Sequence, residues 1–271
     1  MGCQNPAVTT EHDRTVRTEF RRQSPTFEGE DSFFADARLA GWVARHLEPL
    51  EPAMLVLEVA CGAAHQGEAI APRAGRVIGA DLTPELLDVA RRRLRGRSVA
   101  GIALTRADAR RLPFPDDAFD LAFCRFAVHH FAEPREQLDE MVRVCRPGGR
   151  VAIVDLISAD PRLADAYNDV ECRRDPSHTR ALTADELEHA VEEAGASLEH
   201  TTRVNVRAPV ERWLTQASTP PDVAESIRAE LRAEVAGGPP TGMRPVDDGG
   251  LHYTQAWEIA VGRVGDASRK T

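Results

Sequence analysis

The sequence predicts an α/β protein: a mostly parallel sheet covered on both faces by helices. Short apolar runs of strand length recur at 54–59, 76–81, 102–106, 119–124 and 150–155, and stretches of helical periodicity separate them. Strand–helix alternation with short connections sets successive strands parallel and lays the crossovers over the sheet. Such strands are buried on both faces, so Met54-Leu55-Val56-Leu57-Glu58-Val59 is nearly continuous in its apolarity and does not alternate.

Residues 1–30 are polar and mixed in charge, and at least the first dozen are expected to lack fixed structure. From Asp31, the residues Phe33, Phe34, Ala37, Leu39-Ala40, Val43-Ala44 and Leu47 mark one apolar side of a helix that Pro49 and Pro52 stop. Thr83-Pro84 opens the next helix with a hydroxyl cap and proline at its first position; Leu86, Leu87, Ala90 and Leu94 form its apolar face. Leu138, Met141, Val142 and Cys145 recur at helical spacing, and Pro147-Gly148-Gly149 ends that helix and turns the chain into the 150–155 strand. Thr183-Ala184-Asp185-Glu186 is a capping box whose helix carries Leu187, Ala190, Val191 and Ala194 and stops at Gly195.

Residues 197–206 and 251–261 read as two further strands. The stretches 159–180 and 207–249 are irregular or rich in proline and glycine, and read as a lid or substrate wall. No internal repeat is present. The expected organisation is one domain over 1–271, with an N-terminal cap at 1–48, a ligand-binding core at 53–156 and a C-terminal half at 157–271 that carries both insertions.

With 42% hydrophobic and 28% charged residues, the 271-residue chain has the composition of a globular protein with a substantial core. No apolar run approaches the ~20 residues that span a bilayer. The start lacks a basic flank followed by an apolar stretch, and Pro6 stands where an acylation signal beginning Gly2-Cys3 needs Ser or Thr. A cytoplasmic protein without a membrane partner is the expectation. A net charge of −9 disfavours nucleic acid, despite the local Arg91-Arg92-Arg93 run. Five scattered cysteines (Cys3, Cys61, Cys124, Cys145, Cys172) without a CxxC pair give neither a disulfide framework nor a metal site. The only lysine is Lys270, which removes Walker A loops, Schiff-base catalysis and the Tyr-xxx-Lys pair of short-chain dehydrogenases. Oligomeric state is not encoded in any pattern here; a homodimer is compatible with all of them.

The chemistry gathers where strands end. Small residues at Ala60, Gly62 and Ala64 let a ligand press against the turn after the first strand, although a plain tight turn reads the same way. Asp81 ends the second strand, where a carboxylate can accept from both hydroxyls of a ribose; helix capping is the competing role. These two features also suit a dinucleotide. Asp108-Ala109, placed to hold an adenine amine, and the run Leu112-Pro113-Phe114 through Phe119-Asp120 fit no dinucleotide signature.

Those pieces resemble the class I S-adenosylmethionine-dependent methyltransferases, in particular the methyltransferase type 11 family that includes the ubiquinone/menaquinone-biosynthesis C-methyltransferases. The matching segments run from Leu57-Glu58-Val59-Ala60-Cys61-Gly62 through Gly79-Ala80-Asp81, Ala107-Asp108-Ala109, Leu112-Pro113-Phe114, Phe119-Asp120-Leu121 and His130-Phe131 to Arg143-Val144-Cys145-Arg146-Pro147-Gly148-Gly149. The resemblance covers a little over a third of the chain. It implies a Rossmann-like seven-stranded sheet with the last strand antiparallel, and S-adenosyl-L-methionine as cofactor. It implies further that Glu58, Ala60, Cys61, Gly62 and Ala64 lie near the methionine moiety, Asp81 with Leu82 at the ribose and Asp108-Ala109 at the adenine; Arg125, after the fourth strand, completes the expected contacts. Alanine at 60 and 64 departs from the family's glycines and adds a methyl group where positive φ is disfavoured.

Transfer of a methyl group to a small molecule through oxygen, nitrogen or activated carbon is the activity implied. A protein of this fold that uses the cofactor structurally or for another reaction is the alternative, and a nicotinamide oxidoreductase is disfavoured by the missing Tyr-xxx-Lys pair. The loop Cys124 to Phe131 lacks the Asn/Asp-Pro-Pro-aromatic motif of nucleic-acid amino methyltransferases. His129 and His130 are its candidates for a base or substrate contact, with packing the competing role, favoured for His130. His178, in Arg173-Arg174-Asp175-Pro176-Ser177-His178, is a weaker substrate-contact candidate, and Phe20, Phe27, Phe33 and Phe34 are placed to close over the cofactor or to pack in the core.

Overall fold

The computed structural model describes residues 11–28 and 33–265; Gly2-Cys3, Lys270 and most of the leader expected to lack structure lie outside them. Within the polar leader, Glu11–Gln23 forms helix α1, against expectation for its first residues. Its sequence gave little warning, because Val16 and Phe20 are its only large apolar side chains, and both face the cavity described below. Helix α2 (Ala37–His46) follows, capped by Asp36, whose side chain accepts from the Arg38 and Leu39 N–H groups.

The chain then alternates: β1 (Leu55–Val59), α3 (His65–Ile70), β2 (Arg76–Asp81), α4 (Pro84–Gly96), β3 (Ile102–Arg106), β4 (Phe119–Arg125), α5 (Pro134–Val144) and β5 (Cys145–Ile157). It continues with α6 (Ala164–Arg174), α7 (Ala184–Glu193), β6 (Ala196–Pro209), α8 (Val210–Gln216), α9 (Pro221–Val235), β7 (Val246–Asp247) and β8 (Leu251–Val264). The sheet order is β3-β2-β1-β4-β5-β8-β6, with β7 paired to β8. β1 to β5 are parallel, and β8 enters antiparallel between β5 and β6. All seven expected strands are present. The count is nevertheless eight, because the two-residue β7 is too short to leave a periodicity.

Alternate strand residues feed two cores. Leu57, Val59, Ala122 and Ile153 pack under α5 and α7 through Leu138, Met141, Leu187 and Val191. On the other face Val56, Leu121, Phe123 and Val154 meet Val43 and Ala44 of α2 and Leu47 just past its end. The capping box at Thr183 and Glu186 forms as expected.

Three local expectations are corrected. Thr83 sits at the N-cap of α4 but its side chain makes no cap bond. Pro147-Gly148-Gly149 does follow the end of α5, yet it lies inside β5 as a bulge: the register against β4 steps from Phe119↔Cys145 to Leu121↔Arg150. A side chain at Gly149 would stand 2.8 Å from the Arg146 carbonyl oxygen, so only glycine passes there. The stretches 159–180 and 207–249 are largely helical, holding α6, α8 and α9. These helices pack a third core from Tyr167, Val170, Trp213, Ile227, Leu231 and Tyr253 beyond the carboxyl ends of the strands. Helix α6 was obscured by its charges: it buries Glu171 completely, where periodicity looks for apolar residues.

Candidate active site

One cavity of about 460 Å³ opens at the carboxyl ends of β1, β2 and β4, roofed by α1. The turn after β1 is its tightest element. Ala60, Gly62 and Ala64 all take left-handed backbone, with φ of 52°, 52° and 56°. Asp81 fastens the turn: one carboxylate oxygen accepts from Gly62 N–H at 2.7 Å and the other from Thr83 N–H at 2.8 Å. It thereby braces the residue that leads into α4, and still faces the cavity with lone pairs to spare. Burial raises its carboxyl against the pull of these N–H bonds.

Ala60, Cys61, Gly62 and Leu82 line the cavity, whereas Ala64 is fully buried behind the turn and touches no part of the hollow. Glu58 accepts from Gly67 N–H at 2.9 Å, and burial pushes its carboxyl up to about 8. Asp108 and Ala109 reach the cavity from the end of β3. Asp108 is held by Arg110, which in turn reaches Asp13 of α1 at 3.0 Å.

Arg125 ends β4 and is 8% exposed. Among the described residues its Nε and one terminal nitrogen have no hydrogen-bond partner, and the guanidinium lies 5.0 Å from the ring centre of Phe126. Burial pulls it down to about 10, still well above neutrality. Phe126 takes left-handed backbone at φ 54°, a strained conformation for a bulky residue. That bend sets the next turn, Val128–His130, against β5.

There the two candidate histidines separate. Asp155, near the end of β5, accepts from Val128 N–H at 2.7 Å and meets His129 Nδ1 at 2.5 Å. His129 is 4% exposed and lines the cavity, with no partner at Nε2 among the described residues. Asp155 fixes Nδ1 as the protonated nitrogen, so the Nε2 lone pair is available to a ligand. His130 donates from Nδ1 to the Ser177 carbonyl at 3.0 Å and packs edge-on to Phe20. Burial beside His129 pulls it down to about 3, so it is a neutral packing residue that also borders the cavity.

His178 is not at the cavity: its Nε2 bonds Asn168 at 2.9 Å behind the wall, which removes the expected substrate contact. Phe20, Phe27 and Phe34 do line the hollow, the last two stacked at 4.6 Å; the side chain of Phe33 lies outside the described residues. Sequence reasoning had missed Asp155 as the partner of His129, and Trp213, Tyr253 and Gln255 as wall residues. An acidic residue at a buried strand end was a signal for the first; the others depend on how α8 folds back. Among the described residues no cluster could hold a metal ion and no helix is long and apolar enough to cross a membrane.

A doubly covered, mostly parallel sheet with an antiparallel late strand, and a cavity at its carboxyl ends, is the architecture of class I methyltransferases. Residues 57–153 match the methyltransferase domain family Methyltransf_11. It is 29% identical over 218 residues to YcgJ of Bacillus subtilis, named an uncharacterized methyltransferase, covering 80% of this chain and 85% of that protein. The crystal structure of YcgJ aligns with a TM-score of 0.75 and 26% identity, over 85% of this chain and 99% of that one. The demethylmenaquinone methyltransferase of Thermus thermophilus is 37% identical over 128 residues, 46% of this chain and 56% of that protein. The [4+2]-cyclase SpnF shares the fold at a TM-score of 0.68 and 18% identity, over 92% of this chain and 96% of that one.

Proposed function

We propose that this protein transfers a methyl group from S-adenosyl-L-methionine to a small-molecule acceptor, with His129 as general base. The observation that carries the reading is the buried His129–Asp155 pair, whose free ring nitrogen borders the same cavity as the turn fastened by Asp81.

The donor set suits the cofactor. Arg125 has unpartnered N–H groups at the cavity and matches a methionine carboxylate; Glu58 matches its ammonium group, and Asp81 the ribose hydroxyls. Asp108 and Ala109 suit an adenine edge. When bound, the cofactor supplies an electrophilic methyl group on a sulfonium. The protein's own share is to hold the acceptor in line, which is worth roughly 7–11 kcal/mol of barrier when well done. Its other tasks are to keep water out under α1 and to take a proton at His129 Nε2 when the acceptor is a hydroxyl, an amine or a carbon acid.

A roofed cavity and a net charge of −9 favour a small acceptor over nucleic acid, in a cytoplasmic setting. Titration calorimetry with S-adenosylhomocysteine and with NAD is the first test. Binding of the former alone supports the assignment, and no binding of it ends it. Acceptor-dependent release of S-adenosylhomocysteine then separates methyl transfer from a structural or non-methylating use of the cofactor.

A further inference from the structure

One wall of the cavity comes from outside the segment that matches the methyltransferase family, and it exists because β8 outruns its neighbour. β5 stops at Ile157, opposite Ala256, whereas β8 begins at Leu251 and pairs with β6 from His252 onward. This overhang lies beyond the carboxyl ends of the parallel strands. Tyr253 and Gln255 fall on the same side of it and border the cavity. Helix α8 packs on the overhang and sets Trp213 beside Tyr253, 4.9 Å between ring centres.

Tyr253 is the polar group of this wall that the protein leaves unanswered. It is 2% exposed, and its hydroxyl makes no hydrogen bond among the described residues. The Trp213 indole N–H also lacks an acceptor among them but is occluded from the hollow, whereas the Tyr253 hydroxyl is not. The acceptors nearby are engaged. Glu171, behind the wall, takes Arg174 at 3.0 Å and Tyr167 at 3.2 Å. Asp175 takes the Ser177 hydroxyl and N–H and the Gln23 amide at 3.1 Å. The Gln255 carbonyl takes the Trp257 N–H at 2.8 Å, and its amide group points to Tyr167 and Glu171. Burial, with the Glu171 carboxylate nearby, pushes the Tyr253 hydroxyl above the usual tyrosine range against the pull of Arg174 and Arg212. Tyr253 therefore keeps its proton: it is a donor, and the base of the site is elsewhere.

We infer that Tyr253 orients the methyl acceptor: its hydroxyl donates to an oxygen lone pair of that molecule, while the Trp213 ring lies against its apolar body. A buried donor without a partner costs free energy that a ligand oxygen relieves and a hydrocarbon does not. The acceptor therefore carries an oxygen (carbonyl, ether or hydroxyl) besides the atom that receives the methyl group at His129. The inference rests on the methyltransferase reading and deepens it by naming a specificity-determining residue and what it selects.

The test uses the full chain saturated with S-adenosylhomocysteine, titrated with 1-indanone and with indane, which share a ring system and differ in one carbonyl oxygen. Tyr253→Phe should weaken 1-indanone by about fivefold or more and leave indane unchanged, since it removes one hydrogen bond and keeps the ring. S-adenosylhomocysteine binding should be unaltered in the variant, which also reports that it folds. The infrared carbonyl band of bound 1-indanone should lie lower in the unaltered protein than in the variant, a signature that a merely structural tyrosine would not give. Equal loss of both probes overturns the inference, as does loss of neither, an unmoved carbonyl band, or no binding of 1-indanone at millimolar concentration. Failure at the first step, with S-adenosylhomocysteine itself not binding the unaltered protein, refutes the methyltransferase reading instead.

Discussion

The guanidinium of Arg110 holds Asp108, at the end of β3, at 2.7 Å and Asp13, on the roofing helix α1, at 3.0 Å. The carboxylate expected at the adenine is thus tied through one side chain to the helix that closes the cavity. All three groups are partly exposed, with side-chain accessibilities of 15–27%, so each pair is worth no more than about 1 kcal/mol. Arg110→Ala should therefore shift the global unfolding midpoint little but open α1 locally. Hydrogen exchange at residues 11–23 is expected to accelerate several-fold while β1 and β4 stay protected. Unchanged exchange in α1 would show that its apolar contacts hold it without Arg110.

The alanines that replace the family's glycines make a sharper test, because the two sites differ in what the methyl group touches. A non-glycine residue in left-handed backbone costs about 1–2 kcal/mol, and Ala60 and Ala64 both adopt it. Ala60 is partly exposed at the cavity, so Ala60→Gly should stabilise the protein by about 1 kcal/mol. Ala64 is fully buried against Ala90 and Leu94, and there the lost methyl contacts offset the relief of strain. Ala64→Gly should come out near zero. Denaturant unfolding of the two variants side by side measures the difference, and equal midpoints would contradict it.

These residues also mark what the sequence could disclose. The strand ends and their polar residues were legible because a strand buried on both faces is a local pattern, and Asp81 and Asp108 follow directly from where it stops. The φ values of Ala60 and Ala64 were legible as a tension between residue type and turn. Thr83 was misread as a side-chain cap: it stands at the N-cap of α4 without a cap bond, and its own N–H is taken by Asp81, two residues earlier, which also holds Gly62. The pairing of His129 with Asp155 depends on β4 lying beside β5, 26 residues later in the chain. Helix α6 evaded detection because it spends its inward face on Glu171 and Arg174 as well as on apolar residues, and α8, at seven residues, is too short to leave a clear periodicity.

Glu58 gives cofactor binding a pH dependence. Burial pushes its carboxyl up to about 8, so in the free protein it is largely protonated at neutral pH. A carboxyl raised in the folded state holds its proton where the unfolded chain has lost it, so its contribution to stability falls as pH rises from 4.5 to about 8. An approaching ammonium group favours the ionised form, and binding then releases a proton. Affinity for S-adenosylhomocysteine should accordingly rise between pH 6 and 8, by at most about tenfold per unit, and level off above. Glu58→Gln should flatten that profile. Calorimetry in two buffers of different ionisation heat counts the proton directly, and zero release at pH 7 would place the ammonium group elsewhere.

The division of labour between the two histidines predicts opposite outcomes for equivalent substitutions. His129 presents a free ring nitrogen at the cavity with its tautomer set by Asp155; His130 spends Nδ1 on the Ser177 carbonyl and is held neutral by burial. Once an acceptor is in hand, His129→Ala should lower kcat by about 10²–10⁴-fold with little change in S-adenosylhomocysteine affinity, the range general bases supply. Asp155→Asn keeps the shape but no longer fixes the proton on Nδ1, and should lower kcat with little change in KM or in S-adenosylhomocysteine affinity. A merely structural Asp155 would alter stability and leave kcat near wild type. His130→Asn should cost stability through lost contact with Phe20 and Ser177, and alter kcat by less than about threefold, since no step proposed for the site uses its ring. A large kcat loss at His130 with His129→Ala near wild type would transfer the base to His130 and leave the His129–Asp155 pair as scaffolding.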